Sequence, residues 1–218
     1  MISIDKNMNY NKLDTEVENF LRTVDSVLNS NTFLLVIPLI GQPKDLKGFL
    51  SEFIRSKQFK ELMIEQDNIR SLGCYSYYDF IEGEVVEVIN YSGEFYKPNF
   101  ELSMEKISYD GLEKILLNMI TTNKSFYKKQ LSSYNASPIV NMFLDKIFKG
   151  NNIKNLTDEW NIYSVKPNFL NTTYMINKNS GEEEQNKRLC YFDDCGFDSC
   201  TVFYNKERLY MLLTNGMP

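Results

Sequence analysis

The chain has 218 residues, with 24 basic against 29 acidic side chains, a formal net charge of −5, and no histidine at all. The missing imidazole removes the commonest general base, the usual arm of nucleophilic triads and the commonest metal ligand. The acidic balance, with its few basic residues scattered, argues against a nucleic-acid binder, whose affinity rests on clustered Lys and Arg.

Composition is otherwise that of a globular protein: 43% of residues are hydrophobic, enough to build a core. Aromatic residues reach 14%, with 15 Phe and 14 Tyr against a single tryptophan, Trp160, and the one alanine is Ala136. An A+T-rich coding sequence is the simplest expectation for this abundance of Phe, Tyr, Asn, Lys and Ile. Residues 1–7 hold no apolar signal core, and the longest apolar run, Phe33 to Ile40, is interrupted by Pro38 and too short to cross a bilayer. A cytoplasmic location with no membrane contact is the expectation.

Taken in order, Leu13, Val17, Leu21, Val24 and Leu28 recur at helical spacing and predict a helix over 13–30, with Thr15 and Glu18 as a capping box. Phe33 to Ile37 reads as a short strand stopped by Pro38. Leu46, Phe49, Leu50, Phe53 and Ile54 form the stripe of a second helix, weakened by Gly48. The aromatic run Leu72 to Ile81, the turn at Glu82-Gly83 and Glu84 to Ile89 read as a β-hairpin. A further strand is expected over Phe95 to Ser103, pushed to a sheet edge by Pro98.

Helical spacing returns at Leu112, Ile115, Leu116, Met119 and Ile120. The next helix has Ser137 as N-cap, Pro138 in its first position, an apolar face from Ile139 to Phe148, and Gly150 as its stop. From Trp160 onward strands and loops are expected. Asn177 to Arg188 reads as a solvated loop, and Ser199 to Tyr204 with Leu209 to Thr214 as a terminal hairpin around Asn205 to Arg208. The whole predicts one α+β domain over 1–218, amphipathic helices packed on a mostly antiparallel sheet.

Three groups of residues invite chemistry. Cys190, Cys195 and Cys200 lack the paired spacing and the histidine of a zinc site, and alternation places Cys200, Val202 and Tyr204 on one strand face as core. Asp193, Asp194 and Asp198 surround Gly196. They match no EF-hand and read as a turn whose carboxylates cap backbone amides, with a divalent-metal or acid–base site as the alternative. Glu182, Glu183 and Glu184 form an acidic loop. With Tyr77 and Tyr191 as aromatic anchors, these six carboxylates make an acidic, aromatic surface suited to a basic protein partner. No catalytic motif and no cofactor signature is present.

In size, charge and architecture the chain is similar to bacterial immunity proteins, which neutralise a cognate toxin by covering an essential surface. That likeness implies a stoichiometric inhibitor of a basic toxin domain and carries over no individual residue. A carboxylate-dependent enzyme and a self-assembling scaffold or phage accessory protein are the alternatives.

Overall fold

The computed structural model describes residues 14–63, 87–89, 100–123, 128–148, 159–168, 173–176, 186–189 and 198–216. It has the α+β architecture with an antiparallel sheet. The chain forms two compact units: Met1–Lys44, Ser103–Lys166 and Gly196–Pro218 make the first, Asp45–Leu102 and Pro167–Cys195 the second.

In the first unit α1 (Thr15–Leu28) leads into β1 (Ser30–Pro38) through Asn29, whose left-handed backbone (φ 50°, ψ 46°) ends the helix. A Cβ-bearing asparagine tolerates that conformation better than most residues. β3 (Met104–Lys106) is followed by α4 (Tyr109–Thr121), α5 (Ser133–Phe148) and β4 (Asn161–Val165). β7 (Ser199–Tyr204) and β8 (Arg208–Gly216) complete the unit. The five strands run in the order β1-β8-β7-β4-β3, every pair antiparallel. β1 and β8 pair over nine residues, from Ser30 opposite Gly216 to Pro38 opposite Arg208. Pro38 is accommodated inside the strand because β1 has β8 on one side only in this sheet, where a missing N–H breaks no ladder bond.

The β7–β8 turn forms as its sequence implies. The Asn205 side-chain oxygen accepts from the backbone N–H groups of Glu207 and Arg208, each at 2.9 Å, a local bond that turns the chain without help from the core.

Packing on one sheet face explains the helical stripes. Val17, Phe20, Leu21 and Val24 of α1, Leu112, Leu116 and Ile120 of α4, and Ala136, Val140, Phe143 and Ile147 of α5 share one core with Leu34, Ile162, Phe203, Tyr210 and Leu212 of the sheet. Aromatic rings fill its middle. Phe148 meets Trp160 edge-on at 4.6 Å, and Phe203 stacks on Tyr210 at 5.3 Å, geometries that suit the ring quadrupoles. The opposite sheet face is buried too: Leu35, Ile37, Cys200, Val202, Leu209, Met211 and Leu213 are each at most 2% exposed. Burial on both faces is why Leu209 to Leu213 reads as an unbroken apolar run rather than an alternation. Toward the Gly216 end of the helix-facing side, Thr32, Thr214 and Ser199 lie in register across three strands.

In the second unit α2 (Leu46–Ile54) starts at Asp45, whose carboxylate accepts from the Gly48 N–H at 3.0 Å. A Cβ at position 48 would collide with that same carboxylate, so the glycine that weakens the helical pattern is what admits its cap. Residues 57–63 form α3, capped by the Ser56 hydroxyl accepting from Phe59 N–H. Phe53 and Phe59 meet edge-on at 5.5 Å. Arg55 lies 4.2 Å over the Phe100 ring and donates to the Phe100 carbonyl. β2 (Glu87–Ile89), β5 (Thr173–Ile176) and β6 (Asn186–Leu189) form an antiparallel sheet in the order β2-β5-β6.

Several expectations are corrected. Thr15 is the first helical residue rather than a cap. Asp14 occupies the cap position without a side-chain cap bond, and Glu18 pairs instead with Arg22 one turn on. α5 begins four residues before Ser137 and carries Pro138 inside it. Ser137 is not the cap, since its hydroxyl donates to the Ser133 carbonyl at 2.9 Å. Burial of Ala136 against the core draws the earlier turn into the helix, and the Ser132 carbonyl accepts from Ala136 N–H at 2.9 Å. Asn186 to Arg188, expected in a solvated loop, belong to β6 and pair with β5. Among residues 100–106 the ladder forms at 104–106, after the stretch expected to be a strand. β2 pairs with β5; the remainder of its expected hairpin lies outside the described residues.

Candidate functional site

Of the residues singled out in the sequence, Glu182, Glu183, Glu184, Asp193, Asp194, Tyr77 and Tyr191 lie outside the described residues, as do Cys74, Cys190 and Cys195. Asp198 is described. It precedes β7, is half-buried, and accepts from the Asn215 amide of β8 at 2.9 Å. That bond ties the ends of the two strands. Cys200, Val202 and Tyr204 do share one strand face and are all buried. Burial pushes the Cys200 thiol well above its ordinary range, so at neutral pH it carries no thiolate and acts as a small apolar side chain. Among the described residues no three of Cys, Asp and Glu come together as a metal-ligand set.

The fold assembles a different acidic and aromatic group. α4 and α5 run antiparallel. Leu131 N–H, just before α5, donates to the Ile120 carbonyl near the end of α4, and Tyr109 at the start of α4 meets Phe148 at the end of α5 edge-on at 5.5 Å. α4 starts cleanly because the Ser108 hydroxyl accepts from Gly111 N–H at 3.1 Å. Its first turns then carry Asp110 and Glu113, and the antiparallel partner brings Asp145 alongside. Burial first, then Glu113, Asp145 and Asp110 in that order, hold the half-buried Tyr109 phenol above its usual pKa. The phenol edge thus sits in a negative field made by three carboxylates from two helices. Asp110 and Asp145 are exposed and Glu113 is half-buried.

Apolar groups adjoin these charges. Met142, one turn from Asp145 on the same exposed side of α5, is 49% exposed, and Tyr134 further back along that helix is 88% exposed. Lys146 is directed elsewhere, pairing with Asp14 of α1 at 3.1 Å. The charge therefore lies beside exposed aromatic and thioether surface.

The buried acids fix the response to pH. Cys200, Tyr109 and Tyr204 all have pKa values raised in the folded state, Tyr204 by burial and by its neighbour Tyr163. A raised value means the folded protein holds the proton longer than the unfolded chain. The stabilisation is complete below the unfolded values and lost as pH rises through the folded ones. With no histidine to titrate near neutrality, urea midpoints should be nearly constant from about pH 6 to pH 8 and fall above the ordinary thiol value of about 8.5. Cys200→Ala should move the onset of that fall toward the phenol range. A midpoint that rises above pH 9 would contradict this assignment.

Among the described residues no helix is long and apolar enough to cross a membrane. No family model, curated protein or solved structure matches this chain.

Proposed function

We propose that the protein is a stoichiometric protein-binding protein of the immunity or antitoxin type, which neutralises a basic toxin domain by covering it. The observation that supports this reading is the meeting of Tyr109 at the start of α4 with Phe148 at the end of α5. It sets Asp110 and Glu113 of one helix and Asp145 of the other at the same end of the pair, with the exposed Met142 one turn from Asp145. A negative patch draws in and orients a positive partner, raising the association rate. The adjoining ring and thioether supply apolar area at the contact. The protein's net charge of −5 acts in the same direction over longer range. Glu182, Glu183, Glu184, Asp193, Asp194 and Asp198, with Tyr77 and Tyr191, are the separate candidates that the sequence itself offers for a partner-binding surface.

Affinity capture from the source organism, followed by co-expression, tests the reading. A basic companion, toxic when expressed alone and harmless when expressed with this chain, is the expected result. Replacing Asp110, Glu113 and Asp145 together by Lys should then weaken binding at least about tenfold, mainly through slower association. Unchanged affinity in that variant would move the interface elsewhere, and a companion that retains its activity in the complex would end the inhibitor reading.

A further inference from the structure

The outward side of α5 is organised along its whole length. Tyr134, Pro138 and Met142 are exposed and follow one another at four-residue steps, which sets them in a single row on the helix. Pro138 is the midpoint of that row, with the ring on one side and the thioether on the other. The ends carry opposite charge. Lys128 and Lys129 are exposed just ahead of the first turn, while Asp145 is exposed in the last turn.

This arrangement opposes the helix's own macrodipole. Cations favour a helix C-terminus and anions an N-terminus; here the exposed lysines stand at the N-terminal end and Asp145 at the C-terminal end. The cation in the last turn, Lys146, is tied to Asp14. An arrangement unfavourable within one helix becomes favourable when a second, reversed copy lies against it, because Lys128 of each copy then faces Asp145 of the other and the two dipoles run antiparallel.

We propose that this row is an isologous interface through which two copies of the chain pair, α5 against α5 in opposite directions, about a two-fold axis at Pro138. The rotation sets Tyr134 of each protomer against Met142 of its partner, a ring–sulfur contact, and brings Lys128 of each toward Asp145 of the other. Self-complementarity of this kind is what a two-fold interface requires. The 16-residue helix spans about 24 Å, and one helix face falls well short of the roughly 800 Å² per partner of a stable interface. The dimer is accordingly weak and concentration-dependent. A basic partner binding at Asp110, Glu113 and Asp145 would displace it, but the dimer itself stands without any such partner.

Sedimentation velocity on the purified full chain, from roughly 10 μM to roughly 1 mM at low ionic strength, measures it in the range expected of a small interface. The expected result is a reversible monomer–dimer equilibrium that weakens at about 0.5 M salt, where charge pairs are screened. Tyr134→Glu, at a position open to water, should weaken association at least about tenfold without changing the circular dichroism. Lys128→Glu and Asp145→Lys should each self-associate less than the unaltered chain, and an equimolar mixture of the two should recover dimer, since only the mixed pair matches opposite charges at both ends. A chain that stays monomeric throughout, a dimer indifferent to Tyr134→Glu, or a mixture no better than its components would overturn the proposal.

Discussion

Phe143→Ala should be the most damaging conservative truncation in the first unit, costing about 3–5 kcal/mol in urea unfolding. Phe143 is fully buried, its ring centroid 4.5 Å from that of Phe20 on α1. It lies in the core that α1, α4, α5 and the sheet share, so removing the phenyl group leaves a cavity lined by more than one element. None of them can close the gap without giving up contacts elsewhere, which is why the cavity term adds to the lost transfer free energy. A loss of this size shifts the folded-to-unfolded ratio by about two to four orders of magnitude, against a total stability of about 5–15 kcal/mol for an ordinary domain. Trp160 is the natural reporter: it is the one tryptophan, 7% exposed, and packed against Phe148 in the same core. Tyr134→Ala, on the exposed side of the same helix, should change stability by less than about 0.5 kcal/mol. Equal effects from the two substitutions would mean that α5 does not bury the face described above.

Ala136→Leu should fail for the opposite reason. Ala136 is the sole alanine of the chain and is fully buried in the shared core. In a composition that so strongly favours large side chains, the one small helix-former stands where α5 packs into its neighbours. Leucine has nearly the same helix propensity, so the substitution leaves local preference almost untouched and adds only volume. Overpacking a filled core costs about 1–3 kcal/mol. The urea midpoint should fall while the slope of the transition stays the same, marking a change in stability rather than in the surface exposed on unfolding. A neutral or stabilising outcome would show that a void exists beside position 136.

The parts of the fold governed by local chemistry were legible in the sequence. α1, α2 and α4 lie where their apolar stripes place them, and the β7–β8 hairpin follows from a turn that Asn205 closes by itself. The misreadings came where tertiary burial overruled a good local signature. Ser137-Pro138 is a persuasive helix start, yet the core's hold on Ala136 extends α5 backward past it. Strand order was beyond reach, since β1 and β8 carry no sign in their own residues that they are partners. The acidic group around Tyr109 was hidden for a related reason. Asp110 and Glu113 are neighbours by their spacing on α4, but only the antiparallel pairing of α4 with α5 brings Asp145 to the same end. The dense runs of charge in the sequence are instead Glu182–Glu184 and Asp193–Asp198, of which the described residues include only Asp198.

The pairing of β1 with β8 also sets a timetable for synthesis. β8 lies between β1 and β7 in the five-stranded sheet, yet it is made after the other four strands of that sheet. At about 5–20 residues per second, the ribosome needs roughly 10–40 s to travel from the end of β1 to the end of β8. Throughout that interval the apolar β1, with Phe33, Leu34, Leu35 and Ile37, waits without the neighbour that covers its hydrogen-bonding edge. The five-stranded sheet therefore cannot be completed until β8 itself has been made. A ribosome stalled between residues 148 and 208 has made the helices of the first unit but not the strand that joins β1 to β7, a natural client for chaperones.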